Sequence, residues 1–481
     1  MTKVAPIPPV PIHATLSARL TIKDDDLTPA LSAALRHAAT IHNPAFYEAQ
    51  RARRSTKGIP RFIQGFDIAI GGDLILPRGL REQATGLVEQ AGSRLQIDDE
   101  RGQGVEIDVS FEGELTDIQT AAVDGMLAGE DGVLHAPTGS GKTVMACAMI
   151  AERGVSTLVL INRKILAEQW RGEIKTLLGF KAGQFGAGRK KTTGLVDIAM
   201  LPTLARRSEG EIRELTSGYG QVIVDECHHI AAGSYERVVS QIGAAWWLGL
   251  TATPPRRDGL EQITTWQIGP IRYVMRDTLP GEATLAAPYT GPERLLHVHE
   301  TAFTDPPEFD ISRPGAITEL TRLVAVDETR NQQIAADVRQ ALANGRRCLV
   351  LTRRRSQLAT LASLLTDAGC EPLSMLGGTT KRELAAIRQR LAEVKPGDPL
   401  LILTTIPYGG EGFNAPVLDT VFLAGPVAFP GLLIQAVGRV LRRYPGKMNV
   451  IVHDYVDSGS PVLASQYAKR RAGYRQMGFA R

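Results

Sequence analysis

The sequence predicts an α/β protein with two tandem parallel-sheet domains behind a small mixed α/β domain. Three features predict it. Between about 109 and 287, short apolar, β-branched runs alternate with amphipathic stretches, as buried parallel strands alternate with helices. The alternation lapses over about 288–314, where Pro, Gly, Thr and Glu are frequent, and resumes from about 315. At 133–150 an apolar run, a glycine-bearing loop, Gly-Lys-Thr and a helical stretch follow one another.

The elements follow in chain order. Residues 1–108 form the accessory domain. Thr28 can cap a helix over 28–41, with Pro29 at the first helical position, where its missing N–H costs nothing. Strand pieces are expected at 58–63 and 73–77, a helix at 80–91 and a strand at 105–111. Arg51, Arg53, Arg54, Lys57 and Arg61 lie among Phe46, Tyr47 and Phe62. This is either a nucleic-acid contact or a solvated surface. In the domain 109–287, strands are expected at 158–161, 196–200, 222–225 and 247–250, with a helix at 165–178. Residues 288–314 read as a linker. In the domain 315–460, strands are expected at 348–351, 373–376, 400–404, 420–423 and 450–452. Residues 461–481 read as a basic tail, helical from 466 and carrying Lys469, Arg470, Arg471, Arg475 and Arg481.

The bulk properties narrow the function classes. A chain of 481 residues has room for about three domains. Its net charge of +4 is compatible with nucleic acid without requiring it. Cys147, Cys227, Cys348 and Cys370 lack metal-ligand spacing and read as reduced thiols of a cytoplasmic protein. The Pro-rich start has no apolar core of a signal peptide, and no run is long enough to span a bilayer.

The loop Ala136-Pro137-Thr138-Gly139-Ser140-Gly141-Lys142-Thr143 has the context of a phosphate-binding P-loop. Its backbone N–H groups and the following helix N-terminus favour an anion. Lys142 can reach the β- and γ-phosphates, and the Thr143 hydroxyl can ligate Mg²⁺. Asp225-Glu226-Cys227-His228 follows an apolar run. A carboxylate at a strand end occupies the ligand edge of an open α/β sheet. Asp225 can hold Mg²⁺ through water, and Glu226 can deprotonate the attacking water. His228 and His229 could suggest a metal, but no third ligand is visible in the sequence. A histidine here reads instead as a link from the nucleotide site to the rest of the domain. Arg439 and Arg442, three apart in Gln435-Ala436-Val437-Gly438-Arg439-Val440-Leu441-Arg442, would share one helix face and suit the charge that develops on a transferring phosphoryl group.

Together these motifs resemble a superfamily 2 helicase with two RecA-like domains, over roughly 111–455. The resemblance implies adenine recognition by Gln119 in Leu115-Thr116-Asp117-Ile118-Gln119, hence ATP. It makes 136–143 motif I and 225–228 motif II in a DECH form. Asn162, Arg163, Thr203 and Arg353 become nucleic-acid contacts, with Leu166 and Gln169-Trp170 on that same side. Thr251-Ala252-Thr253 becomes motif III, which couples the two sites. Gly412, in Gly410-Glu411-Gly412-Phe413-Asn414-Ala415-Pro416, belongs to motif V and touches nucleotide. Gln435, Arg439 and Arg442 become catalytic residues of motif VI, completing an ATP site between the two domains. Ser234-Tyr235-Glu236 and the run from Leu248 to Thr253 ahead of Arg256-Arg257-Asp258-Gly259 are similar to XPB-like DNA helicases and restriction-type helicase subunits. Arg257 replaces the acidic residue of the XPB-like Arg-Glu-Asp, and Asn414 stands where Asp is common. The resemblance implies an ATP-dependent, Mg²⁺-requiring DNA helicase or translocase acting on single-stranded or forked DNA with 3′ to 5′ polarity. A duplex translocase without strand separation and an RNA helicase are the alternatives.

Overall fold

The computed structural model describes residues 10–479 apart from 138, 232, 253–258, 276–292, 314, 377–378, 380, 396–397, 407–414, 428–432, 434–436, 439, 442–443 and 445. The chain divides into two compact units, Met1–Glu282 and Ala283–Arg481.

The first unit opens with β1 (Ile12–Leu16), β2 (Arg19–Ile22), β3 (Thr40–His42), β4 (Phe62–Gln64), β5 (Asp67–Ile68), β6 (Leu74–Pro77) and β7 (Leu95–Asp99). Five of these form a sheet in the order β5-β6-β2-β1-β7, while β3 and β4 pair as a separate antiparallel ribbon. Thr28 caps the helix Pro29–Ala38, its side chain accepting from Leu31 N. A second helix, Arg81–Gln90, lies close to the first. The core of this region, around Leu20, Ile22, Leu35, Leu74 and Val88, also takes in Ile263 and Trp266. Those two residues come from the helix Glu261–Ile268, far downstream. Two buried arginines strengthen the attachment. Arg78 donates to Ile242 O (3.2 Å) and Ala244 O (2.7 Å) and lies over Trp247. Arg101 donates to Ala245 O (2.9 Å) and pairs with Asp99 and Glu130. A region expected to be a separate domain therefore shares a core with the next, because it covers apolar residues that the larger sheet leaves over.

The larger sheet contains β8 (Asp131–His135), β9 (Thr157–Ile161), β10 (Gly183–Gly186), β11 (Arg189–Lys191), β12 (Val196–Met200), β13 (Gln221–Asp225), β14 (Trp246–Thr251) and β15 (Ile271–Val274). Its order is β11-β10-β12-β9-β13-β14-β8-β15, parallel throughout except at β11. Strands β9, β12 and β13 are buried at every residue, which is why they read as continuous apolar runs. The expected strand at 105–111 does not form. That stretch makes one bridge, Glu106 to Val155, and rests Ile107, Val109 and Phe111 on the lobe's core. Apolar alternation there reflects packing across the lobe rather than pairing within a sheet.

The second unit holds a parallel sheet in the order β16-β21-β20-β17-β19-β18. Its strands are β16 (Glu293–Glu300), β17 (Arg347–Thr352), β18 (Leu373–Met375), β19 (Leu400–Thr405), β20 (Thr420–Leu423) and β21 (Asn449–Val456). Strand β16 corrects the expected linker, since it pairs along its whole length with β21. The expected basic tail differs in its start and in one residue. Its helix, Pro461–Gln476, starts earlier, and Arg470 is buried against Asp454 with both carboxylate oxygens accepting at 2.9 Å. Tyr474 donates to the same carboxylate. Arg470 and Tyr474 thus tie the helix to the sheet, while Lys469, Arg471 and Arg475 are exposed. Among the described residues no helix is long and apolar enough to cross a membrane.

Candidate active site

The parallel pairing sets the site. In register, His135 lies beside Thr251, Leu250 beside Asp225, and Met200 beside Ile161. The C-terminal ends of β8, β14, β13, β9 and β12 therefore share one edge, and the sequence motifs fall on it. The P-loop leaves β8, Asp225 ends β13, and Thr251 ends β14. Asn162 and Arg163 follow β9, and Thr203 lies in the short helix Leu201–Leu204 after β12. Open α/β sheets bind ligands at this edge.

Gly139 and Gly141 take φ of 88° and 84°, which only glycine adopts readily, and Gly141 caps the helix Lys142–Arg153. A Cβ on Gly141 would come within 2.4 Å of Gln119 Nε2. The bend leaves a backbone concavity at a helix N-terminus, a fit for phosphate. Lys142 Nζ donates to Ala136 O and Pro137 O, both at 3.2 Å. Thr143, one residue on, and Asp225 offer hydroxyl and carboxylate oxygens, the donor set Mg²⁺ favours while it keeps waters.

Gln119, which the resemblance makes an adenine contact, is held beside the P-loop. Its side-chain carbonyl accepts from Thr116 N (2.9 Å) in a capping box, and its amide donates to Ser140 O (2.9 Å). It ties the start of the helix Asp117–Leu127 to the P-loop.

The acidic pair is held from several sides. Asp225 is 8% exposed. Trp170 Nε1 donates to its Oδ2 and Glu226 N to its Oδ1, both at 2.9 Å. Glu226 has φ of 50°, a left-handed conformation that costs a β-carbon-bearing residue about 1–3 kcal/mol. His228 Nδ1 lies 3.4 Å from Glu226 Oε2 and 3.4 Å from Thr251 Oγ1. The Thr251 carbonyl accepts from Ala136 N at 2.9 Å. Glu226, His228 and Thr251 thus stand in a row of close approaches that leads to the start of the P-loop. Cys227, next to Glu226 in the chain, is fully buried, and burial pushes its thiol well above the usual range. Burial, and then the Lys142 charge, lower the His135 imidazole and favour its neutral form.

Sequence reasoning missed the part played by Trp170. It lies in the helix Lys164–Leu177 that begins beside Asn162 and Arg163, but it is fully buried and turned to Asp225. Its place with Leu166, Ala167 and Ile174 on the buried face signals only core. The indole N–H is the one polar clue. In the second unit, Arg353 follows β17 and is exposed. Thr138, Gly412, Gln435, Arg439 and Arg442 lie outside the described residues, as do Thr253 and Arg256-Arg257-Asp258.

Comparison with known proteins agrees with this arrangement. The family model of the type III restriction enzyme res subunit matches residues 112–256, and that of the helicase conserved C-terminal domain matches 333–444. A protein of Acanthamoeba polyphaga mimivirus, provisionally named an ATP-dependent RNA helicase, is 26% identical over 77% of this chain and 69% of its own length. A protein of Escherichia phage T5, provisionally named a helicase, is 24% identical over 72% of each chain. The DNA 3′-5′ helicase XPB of Mycobacterium tuberculosis is 34% identical over 36% of this chain and 32% of its own. With both helicase domain families matched in order along one chain, and a P-loop and acidic pair on one sheet edge, the chain belongs to the superfamily 2 helicases, related to the XPB-like and restriction-type members.

Proposed function

We propose that this ATP-dependent helicase or translocase works on DNA, single-stranded or forked, with Mg²⁺ and 3′ to 5′ polarity. One observation carries the catalytic part: the P-loop and the Asp225-Glu226 pair leave strand ends on one edge of the sheet, either side of β14. In this reading the backbone of 139–143 and the Lys142 ammonium hold the triphosphate, while Thr143 and Asp225 hold the metal. Glu226 accepts the proton of the attacking water. Arg439 and Arg442 balance the charge on the transferring phosphoryl group, and Gln435 and Gly412 assist at the nucleotide. Asn162, Arg163, Thr203 and Arg353 contact the strand, and Gln119, tied to Ser140 O, recognises the adenine. Relatives named XPB or Rad25 DNA 3′-5′ helicases or translocases, 30–34% identical over their matched stretches, support DNA. The mimivirus relative's name favours RNA as the second reading. Four free thiols, three of them buried, support a cytoplasmic working place.

The test is steady-state ATPase with single-stranded, duplex, forked and RNA ligands. Lys142→Ala and Glu226→Gln are each expected to lower turnover at least about a hundredfold. DNA is expected to stimulate the wild type, less so as salt rises. Turnover near wild type in either variant would refute the site, and stimulation by RNA alone would favour the second reading.

A further inference from the structure

The matched family models begin at residues 112 and 333, so they leave the β3–β4 ribbon unassigned. From Ala49 to Phe66 the chain carries Arg51, Arg53, Arg54, Lys57 and Arg61 and no acidic residue. All five basic residues are exposed. Beside them stands an aromatic group. Phe62 is 42% exposed, the Arg61 guanidinium lies over its ring, and His42 packs against it at 5.1 Å. Tyr47 Oη accepts from Arg61 Nε (3.2 Å) and bonds the His42 ring (2.8 Å).

Two further features separate this patch from an ordinary solvated surface. The first is the end of the helix Pro44–Arg51. Arg54 N donates to Ala49 O (2.8 Å) and Arg53 N to Gln50 O (3.0 Å), the paired bonds of a Schellman cap. The cap's left-handed position, where glycine is usual, is filled by Arg53 with φ of 51°. A charged side chain thus occupies a position that folding alone would give to glycine. The second is rigidity. Gly65, directly after β4, sits against Trp266, whose ring a Cβ there would meet at 2.7 Å. The ribbon is therefore seated on the helix Glu261–Ile268, which follows the Thr251-Ala252 edge of the nucleotide-binding lobe.

We propose that this ribbon is a second nucleic-acid contact, fixed to the nucleotide-binding lobe, that takes a single strand. The arginines and Lys57 meet phosphates, and Phe62 offers a face to an unpaired base. Stacking needs bases that a duplex keeps covered. The inference rests on the proposed action on nucleic acid.

The experiment measures binding of labelled oligo-dT, and of the corresponding duplex, to the full chain across a salt series. It uses Arg53→Gly, Phe62→Ala and the triple variant Arg53→Gly, Arg54→Gln, Lys57→Gln. Arg53→Gly removes a charge and relieves the backbone, so its thermal midpoint is expected to hold or rise while oligo-dT binding weakens. The triple variant is expected to weaken binding about tenfold to a hundredfold and to reduce the slope of log K against log salt by about 2. Phe62→Ala is expected to weaken it roughly fivefold to a hundredfold, with little change for duplex. Unchanged affinity and slope in the triple variant would overturn the proposal, as would a loss confined to duplex. If wild-type ATPase responds to DNA while these variants bind like wild type, the ribbon proposal alone fails. If the wild type neither binds nor responds to nucleic acid, the functional reading fails with it.

Discussion

Asp225 is oriented by two donors, the Trp170 indole and the Glu226 amide. Trp170→Phe keeps the ring in the core and removes one of them. The expected result is a several-fold rise in the Mg²⁺ concentration for half-maximal ATPase and a fall in kcat of about tenfold. The stability loss is expected to be about 1–3 kcal/mol, the range for a lost buried hydrogen bond. A loss of stability with an unaltered Mg²⁺ response would reduce Trp170 to a packing residue. At this scale the sequence was partly legible. Glycine spacing and a carboxylate pair after an apolar run announce their chemistry by residue type. The backbone angle of Glu226 and the aim of the Trp170 N–H do not, because each depends on contacts far along the chain.

The elements divide by how they are buried. Strands β9, β12, β13, β17 and β20 are buried at every position, so their apolar runs could be read directly. Strand β16, Glu-Arg-Leu-Leu-His-Val-His-Glu, lies at a sheet edge with no fully buried residue. Its polar composition therefore resembles a linker. The seat of the first sheet on Glu261–Ile268 was equally hidden, because it depends on an approach of backbones. A Cβ at Gly79 would stand 2.1 Å from Thr265 O and 2.7 Å from Trp266 O, and neither carbonyl can rotate away as a side chain would. Gly79→Ala is expected to destabilise the first unit by about 3 kcal/mol, at the upper end of overpacking effects, read as an earlier urea midpoint. An unchanged midpoint would mean that the two layers are not in such close contact.

Across the whole molecule, fold class follows from repeated patterns, whereas unit boundaries depend on which surfaces are shared. One whole-molecule property follows from the second unit. His453 is 9% exposed, and burial, assisted by His299, His297 and Arg346, lowers its imidazole to about 3. Its neighbour His299 lies 3.4 Å from Asp337 yet is also lowered, with burial the larger influence. An unfolded His453 would titrate near ~6.5. The native state therefore binds this proton less well, and its stabilising contribution is complete above ~6.5 and declines as pH falls toward about 3. From pH ~7.5 to ~5 the loss attributable to His453 is expected to be about 2 kcal/mol. His453→Gln should flatten that part of the urea-unfolding pH profile. Parallel profiles for variant and wild type would exclude this assignment.

Trp266 carries a consequence for anyone who would isolate the enzymatic part of this chain. A fragment beginning at the first matched family residue would lose the strands and helices that now cover that indole and Ile263. It would present a bare greasy face to water, and such faces drive self-association. The smallest well-behaved ATPase from this chain must therefore retain its leading hundred or so residues, whatever they do with nucleic acid.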